Sequence, residues 1–321
     1  MASGVGTTTV SRVIRNEGPI SDKTRQAVEE AIRTLGYEPN FLAGSLASVD
    51  SGLIGVVIPA SRILIFLDLL HGIQVGLAGT RYKPIVVESG YDLQTEEDAI
   101  RSLLGWQPAA MLVTGGDHTP AAVDLLKGFS GRVIEMMDID GDPIDTSVGY
   151  CSDAAGDLTA RHLIARGYRK FAFIGHDMTT DYRGRRRFLA MSKVLAEHGL
   201  AFVTTHFHKD FSTVAMGRMA TEQIRTLHPE VDVIVCVNDT VAMGGVFYCM
   251  SEGLRMPDDL AIFGFSAIEI GQQLPNPLST IDSHRFDMGV AAVREILDHP
   301  ERPGEPKRID TGLTVIPGTT A

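Results

Sequence analysis

Two stretches of the chain carry side chains whose type and spacing suit contact with a charged partner. The first is Thr7-Thr8-Thr9-Val10-Ser11-Arg12-Val13-Ile14-Arg15. Val10, Val13 and Ile14 recur at i, i+3 and i+4, the spacing of one helix face, which leaves Thr8, Ser11, Arg12 and Arg15 facing elsewhere. Hydroxyl and guanidinium groups supply the hydrogen bonds that phosphates and base edges need. The solvated face of an ordinary helix has the same pattern. The second stretch is Arg185-Arg186-Arg187, near the start of a predicted helix from Gly184 to Glu197. Three cations there oppose the helix dipole, at about 0.3–1 kcal/mol each where exposed. An anionic ligand reverses that penalty, because guanidinium and helix N–H groups both favour a carboxylate; a solvated basic patch is the alternative.

No catalytic constellation accompanies these groups. Gly264-Phe265-Ser266-Ala267-Ile268 lacks the last glycine of a nucleophile elbow. The chain has neither a phosphate-cradling glycine loop ending in Lys-Ser/Thr nor a His-Glu-x-x-His pair. His206 and His208 reach the same side of a strand, without further ligands for a metal. The chain is therefore expected to be no enzyme and to hold neither metal nor cofactor.

The elements that must position these residues follow from apolar periodicity. Ser21 is placed to cap a helix with the stripe Ala27, Val28, Ala31, Ile32 and Leu35, closed by Gly36. Pro39-Asn40 restarts the chain, Phe41 to Ala47 can form a short helix, and Asp50-Ser51-Gly52 reads as a linker. Beyond it, apolar strand-like runs at 53–58, 85–87, 111–113, 133–137, 171–174, 233–237 and 261–265 alternate with helical patterns. Continuous apolar strands separated by helices imply parallel sheets covered on both faces. Two such series, divided near residue 149, predict two doubly wound lobes with a ligand cleft beyond the carboxyl ends of their strands.

Bulk composition narrows the setting. The chain has 321 residues, enough for two or three compact units. No apolar run reaches the roughly 18–20 residues of a membrane span, and the start carries no basic patch followed by an apolar stretch, so export is not expected. Cys151, Cys236 and Cys249 read as reduced thiols in a cytoplasm. The net charge of −11 argues against a surface that grips nucleic acid everywhere but does not exclude a local DNA contact. Residues 1–50 hold five Lys/Arg against six acids, a weak balance for a DNA-binding segment.

Six stretches in order resemble one family. They are Gly4–Val13, Ser21–Gly36, Leu35–Asn40, Gly52–Pro59, Val237–Gly244 and Met256–Phe265. Together they identify the chain as similar to the lactose/galactose repressor family, ligand-controlled bacterial DNA-binding regulators. Trp106, His118-Thr119-Pro120 and Ile270-Gly271-Gln272 look most like the gluconate-utilisation branch. The resemblance implies an α/β fold of two doubly wound parallel-sheet lobes, like periplasmic binding proteins, preceded by a helix-turn-helix headpiece. The family's helix before the recognition helix is expected to be missing, and Gly6 stands where the family usually places a capping Ser or Thr.

The resemblance carries base reading onto Thr7, Thr8 and Arg12, and phosphate contact onto Thr9, Ser11 and Arg15. Asn40 matches a position that contacts the DNA backbone or groove, and Leu46 the hinge leucine that wedges into the minor groove. For the effector it implies Phe66, Asp138, Tyr150, Arg187, Phe211 and Asn238. Ser266 stands where sugar-binding relatives carry a carboxylate, which fits a sugar acid better than a neutral sugar. The expected division is a headpiece at 1–40, a hinge helix and linker at 41–51, a first lobe at 52–149 plus about 282–300, and a second at 150–281 plus about 301–321. Operator DNA, a sugar or sugar-acid effector and a second copy of the chain are the implied partners, with no membrane. A periplasmic-type sugar-binding protein without DNA binding is the alternative.

Overall fold

The computed structural model describes residues 3–15, 18–37, 51–60, 64–209 and 212–321. The chain forms two compact units, residues 1–51 and 52–321.

The smaller unit holds α1 (Thr7–Arg15) and α2 (Asp22–Leu35). Ser21 Oγ accepts the Thr24 N–H at 3.3 Å, occupying one of the unpaired donors at the start of α2. Gly36 closes α2 at φ 58°, a left-handed conformation that glycine adopts without strain. Val13 and Val28 are buried. The expected α2 stripe is covered at Val28, half-buried at Ala31 and Ile32, and exposed at Ala27 and Leu35. Within so small a unit, few described side chains are available to cover it.

The larger unit contains two parallel sheets. The first has the order β11-β5-β4-β3-β1-β2, from β1 (Leu53–Ile58), β2 (Lys83–Glu88), β3 (Ala110–Thr114), β4 (Arg132–Asp138), β5 (Thr146–Tyr150) and β11 (Lys307–Asp310). The second has the order β7-β6-β8-β9, from β6 (Phe171–His176), β7 (Phe202–His208), β8 (Val233–Cys236) and β9 (Ala261–Phe263). Central strands β3, β4 and β5 are buried throughout, whereas the edge strands β2 and β7 are partly exposed. Burial on both faces explains the unbroken apolar runs of the central strands.

Helices α3 (Ile65–Gly76), α4 (Leu93–Leu104), α5 (Pro120–Gly128) and α11 (Arg285–Asp298) belong to the first lobe, and α6 (Ser152–Ala165), α7 (Tyr182–Glu197), α8 (Val214–Leu227) and α9 (Asp239–Glu252) to the second, where the short α10 (Glu269–Gln272) follows β9. The chain leaves the first sheet after Tyr150 and returns through β10 (Thr280–Asp282), which pairs antiparallel with β12 (Thr314–Ile316). The last crossing differs from expectation. It was expected near residue 301, but β11 pairs with β5 in parallel, so residues 307–310 still belong to the first lobe and the chain crosses again only after Asp310. Backbone pairing with β5 outweighs the weak apolar signal of Lys-Arg-Ile-Asp.

Helices α6 and α7 meet closely. A Cβ placed on Gly156 of α6 would lie 2.3 Å from the Arg187 carbonyl oxygen on α7, so only glycine fits there. Among the described residues no helix is long and apolar enough to cross a membrane.

Candidate effector cleft

The carboxyl ends of β1, β2 and β3 face the start of α7 across a void open to solvent. Pro59, Ser89, Tyr91, Asp92, Glu96, Thr114 and Asp117 line it from the first lobe; Asp181, Tyr182 and Arg183 line it from the second. Asp181 caps α7 by accepting the Gly184 N–H at 2.9 Å, which fixes where the arginines that follow project.

The expected Arg185-Arg186-Arg187 anion site resolves into three committed side chains. Arg185 is exposed and stacks over Tyr182 at 5.1 Å. Arg186 pairs with Asp138 Oδ2 at 3.0 Å, linking the second lobe to the first. Arg187 donates to Tyr150 Oη at 3.2 Å and the Val237 carbonyl at 3.0 Å, and lies 4.1 Å from the centre of the Phe265 ring. Arg183, four residues earlier, makes no hydrogen bond or ion pair with any described residue. Its Nη1 would lie 3.0 Å from a Cβ on Gly115, so the guanidinium reaches from α7 to the end of β3. Among the described cleft residues Arg183 is thus a guanidinium without a hydrogen bond or ion pair; burial opposes its charge, but Tyr91, Tyr150, Asp181 and Asp138 nearby favour it.

The other predicted effector residues divide by environment. Asp138 also accepts the Asp140 N–H at 2.7 Å, and burial raises its carboxyl above the usual range. Tyr150 is buried, which raises its phenol, and its ring lies 5.5 Å from that of Phe265. Asn238 caps α9 by accepting the Val241 N–H at 3.1 Å and donates to Ser212 Oγ at 2.7 Å. His176 Nε2 lies 2.6 Å from the same hydroxyl; burial lowers its pKa and keeps the ring neutral. Ser266 is buried at φ 121°, its N–H donating to the Ile281 carbonyl at 2.7 Å. Phe66 is fully buried in the core. Phe211 lies outside the described residues.

Sequence reasoning missed Tyr91, His176, Ser212 and Arg183. The Tyr91 and His176 rings stack at 6.4 Å across the lobes, and burial raises the Tyr91 phenol. A capping Asp181 followed by a cation was a visible signal for Arg183. Nothing local marks Tyr91, which comes from a loop after an edge strand.

Below the first-lobe wall, His118 is bracketed by carboxylates. Its Nδ1 lies 2.9 Å from Glu96 Oε2, and its Nε2 lies 3.6 Å from Glu135 Oε1, too far for a hydrogen bond. All three side chains are almost wholly buried. Burial opposes the charged ring, but Glu135 and Glu96 together outweigh it and push the His118 pKa up to about 9.

In the smaller unit, Thr7, Thr8 and Arg12 are exposed, and Thr9 and Ser11 half-exposed, on α1. Arg15 ends that helix, its side chain outside the described residues. Asn40 and Leu46 also lie outside them.

A two-lobed unit with an interlobe cleft, preceded by paired short helices, defines a ligand-controlled DNA-binding regulator. Residues 1–40 match the family model of bacterial regulatory proteins of the lacI family, and residues 51–309 the model of periplasmic binding proteins and the sugar-binding domain of the LacI family. The chain belongs to the LacI family of DNA-binding transcriptional regulators. The first match removes the alternative of a sugar-binding protein without a DNA headpiece. Among curated relatives, the HTH-type transcriptional regulator GntR of Escherichia coli is 30% identical, covering 98% of this chain and 95% of the relative. The regulator IdnR of Escherichia coli is 27% identical over 99% and 96%. A LacI-family regulator from Silicibacter pomeroyi has a similar crystal structure, with TM-score 0.90 and 36% identity over 99% of this chain and 96% of that one. The operator-bound lac repressor dimer, at TM-score 0.83 and 20% identity over 99% and 96%, shares the fold. These relatives are regulators, and this chain is a regulator rather than an enzyme.

Proposed function

We propose that the chain is a cytoplasmic repressor of sugar-acid catabolism whose hold on operator DNA is set by a gluconate-like acid bound between its lobes. The observation that carries this reading is Arg183, a guanidinium without a hydrogen bond or ion pair to any described residue, lining the void between the lobes. A carboxylate satisfies it with charge-assisted hydrogen bonds that a neutral hexose does not offer. The position of Ser266, where sugar-binding relatives carry an acid, and the likeness to GntR and IdnR support the same class. Residues 1–40 form the DNA-reading headpiece and 41–51 the hinge, with Thr7, Thr8, Arg12, Thr9, Ser11, Arg15, Asn40 and Leu46 as DNA contacts. Two copies pair and present their headpieces to the halves of a near-palindromic operator. The effector shifts DNA affinity by as much as it distinguishes the two states of the lobes.

Calorimetric titration of the full chain with D-gluconate and D-glucose tests the ligand class. Gluconate is expected to bind at least tenfold more tightly, and Arg183→Met to remove most of that margin. Tighter binding of glucose would end the reading.

A further inference from the structure

The histidine motif at 118–120 has no part in the cleft as described so far, yet it supports one of its walls. Glu96 lines the void and gives Oε2 to His118, which Glu135 faces from the other side. His118 occupies Oε2 of Glu96 and leaves its other carboxylate oxygen as a further acceptor, and a carboxylate accepts hydrogen bonds and donates none. Asp92 and Asp117 line the same first-lobe wall, so this side of the cleft is acidic, while Arg183 faces it from the second lobe.

We propose that the cleft reads its effector by polarity: Arg183 takes one anionic group, and Glu96, positioned by His118, accepts hydroxyls from the remainder. The ligand class is then a polyhydroxylated monoanion. A six-carbon acid with a carboxylate at each end is rejected, because its second carboxylate meets an acceptor-only wall of like charge. This rests on the sugar-acid reading of the cleft and goes beyond it by assigning the opposite pole and the diacid discrimination. His118 acts as a positioning residue and touches no ligand.

The test is calorimetric titration of the full chain with D-gluconate and with D-glucarate, which differ in one terminal group. Wild type is expected to favour gluconate at least tenfold. Glu96→Gln keeps the shape but supplies an amide donor; it is expected to weaken gluconate about tenfold and to bring glucarate within threefold of it. His118→Gln is expected to narrow the same ratio, which a loss of fold alone would not do. Equal wild-type binding of the two acids overturns the proposal without any variant. So does an unchanged ratio in a Glu96→Gln protein that still melts cooperatively. If gluconate fails to bind wild type while glucose binds, the sugar-acid reading falls as well; if gluconate binds and glucarate matches it, only the polarity assignment does.

Discussion

His118 shows how a single buried group couples protonation to folding. In an unfolded chain its ring titrates near 6.5; in the fold, despite burial, Glu135 and Glu96 raise that to about 9. A raised pKa means that the folded state holds the proton more tightly, so the stabilisation is full below 6.5 and is lost as pH climbs through 9. The shift corresponds to stabilisation on the order of 3 kcal/mol. The melting temperature of wild type is thus expected to fall between pH 6.5 and 9 relative to His118→Gln; parallel curves for the two proteins would refute the linkage. Arg12 is a residue of another kind, exposed on α1 and free to reach a base edge. Arg12→Ala is expected to weaken operator binding by about 1–3 kcal/mol, measured by fluorescence anisotropy at fixed salt. Loss of less than twofold would remove it from the DNA interface.

At the scale of elements, α7 positions most of the second-lobe groups, and two local devices hold it. Asp181 sets its start, and contact with α6 through Gly156 sets its depth. Gly156→Ala pushes a methyl against the Arg187 carbonyl, so α7 must move away. Overpacking of this kind costs about 1–3 kcal/mol. Effector affinity is expected to fall about tenfold with it, because Arg183 and Arg187 ride on the displaced helix; unchanged affinity in a destabilised protein would separate the helix position from the site. Caps at Ser21 and Gly36, and strands at the apolar runs, were legible because they depend on near neighbours. Strand β5, with Thr-Ser-Val-Gly-Tyr, was not, since its partners β4 and β11 lie elsewhere in the chain. Edge strand β7 escaped for a related reason: its partial exposure leaves Thr204, Thr205, His206 and His208 among its apolar residues.

At the scale of the whole larger unit, the lobes are joined by specific groups as well as by the crossing segments. The Asp138–Arg186 pair and the Tyr91–His176 stack link first-lobe side chains to second-lobe ones. On the proposed function, a ligand drawn into the void between them would act on the balance of these contacts. The first lobe also presents an exposed apolar row, Leu64, Leu67 and Val75 along α3, with Phe286 of α11 against His71. Exposed apolar rows of this kind favour association. On the proposed pairing of two copies, Leu67→Asp is expected to shift sedimentation from dimer toward monomer and to lower operator affinity at least tenfold, since each copy would then hold a half-site alone. A variant that remains dimeric would place the subunit contact elsewhere.

The amino-acid sequence by itself determined the two-lobed α/β plan, the headpiece helices and the family, because apolar period, caps and motif order are properties of neighbouring residues. Tertiary structure alone decided which arginine is uncommitted. Arg183, Arg185, Arg186 and Arg187 are alike as a string of cations, and they became different only when Asp138, Tyr150, Val237 and Phe265 arrived from distant strands and loops to occupy two of them. The physical reason is that a charge is defined by its surroundings, and here those surroundings come from segments up to 78 residues away, Phe265 beside Arg187.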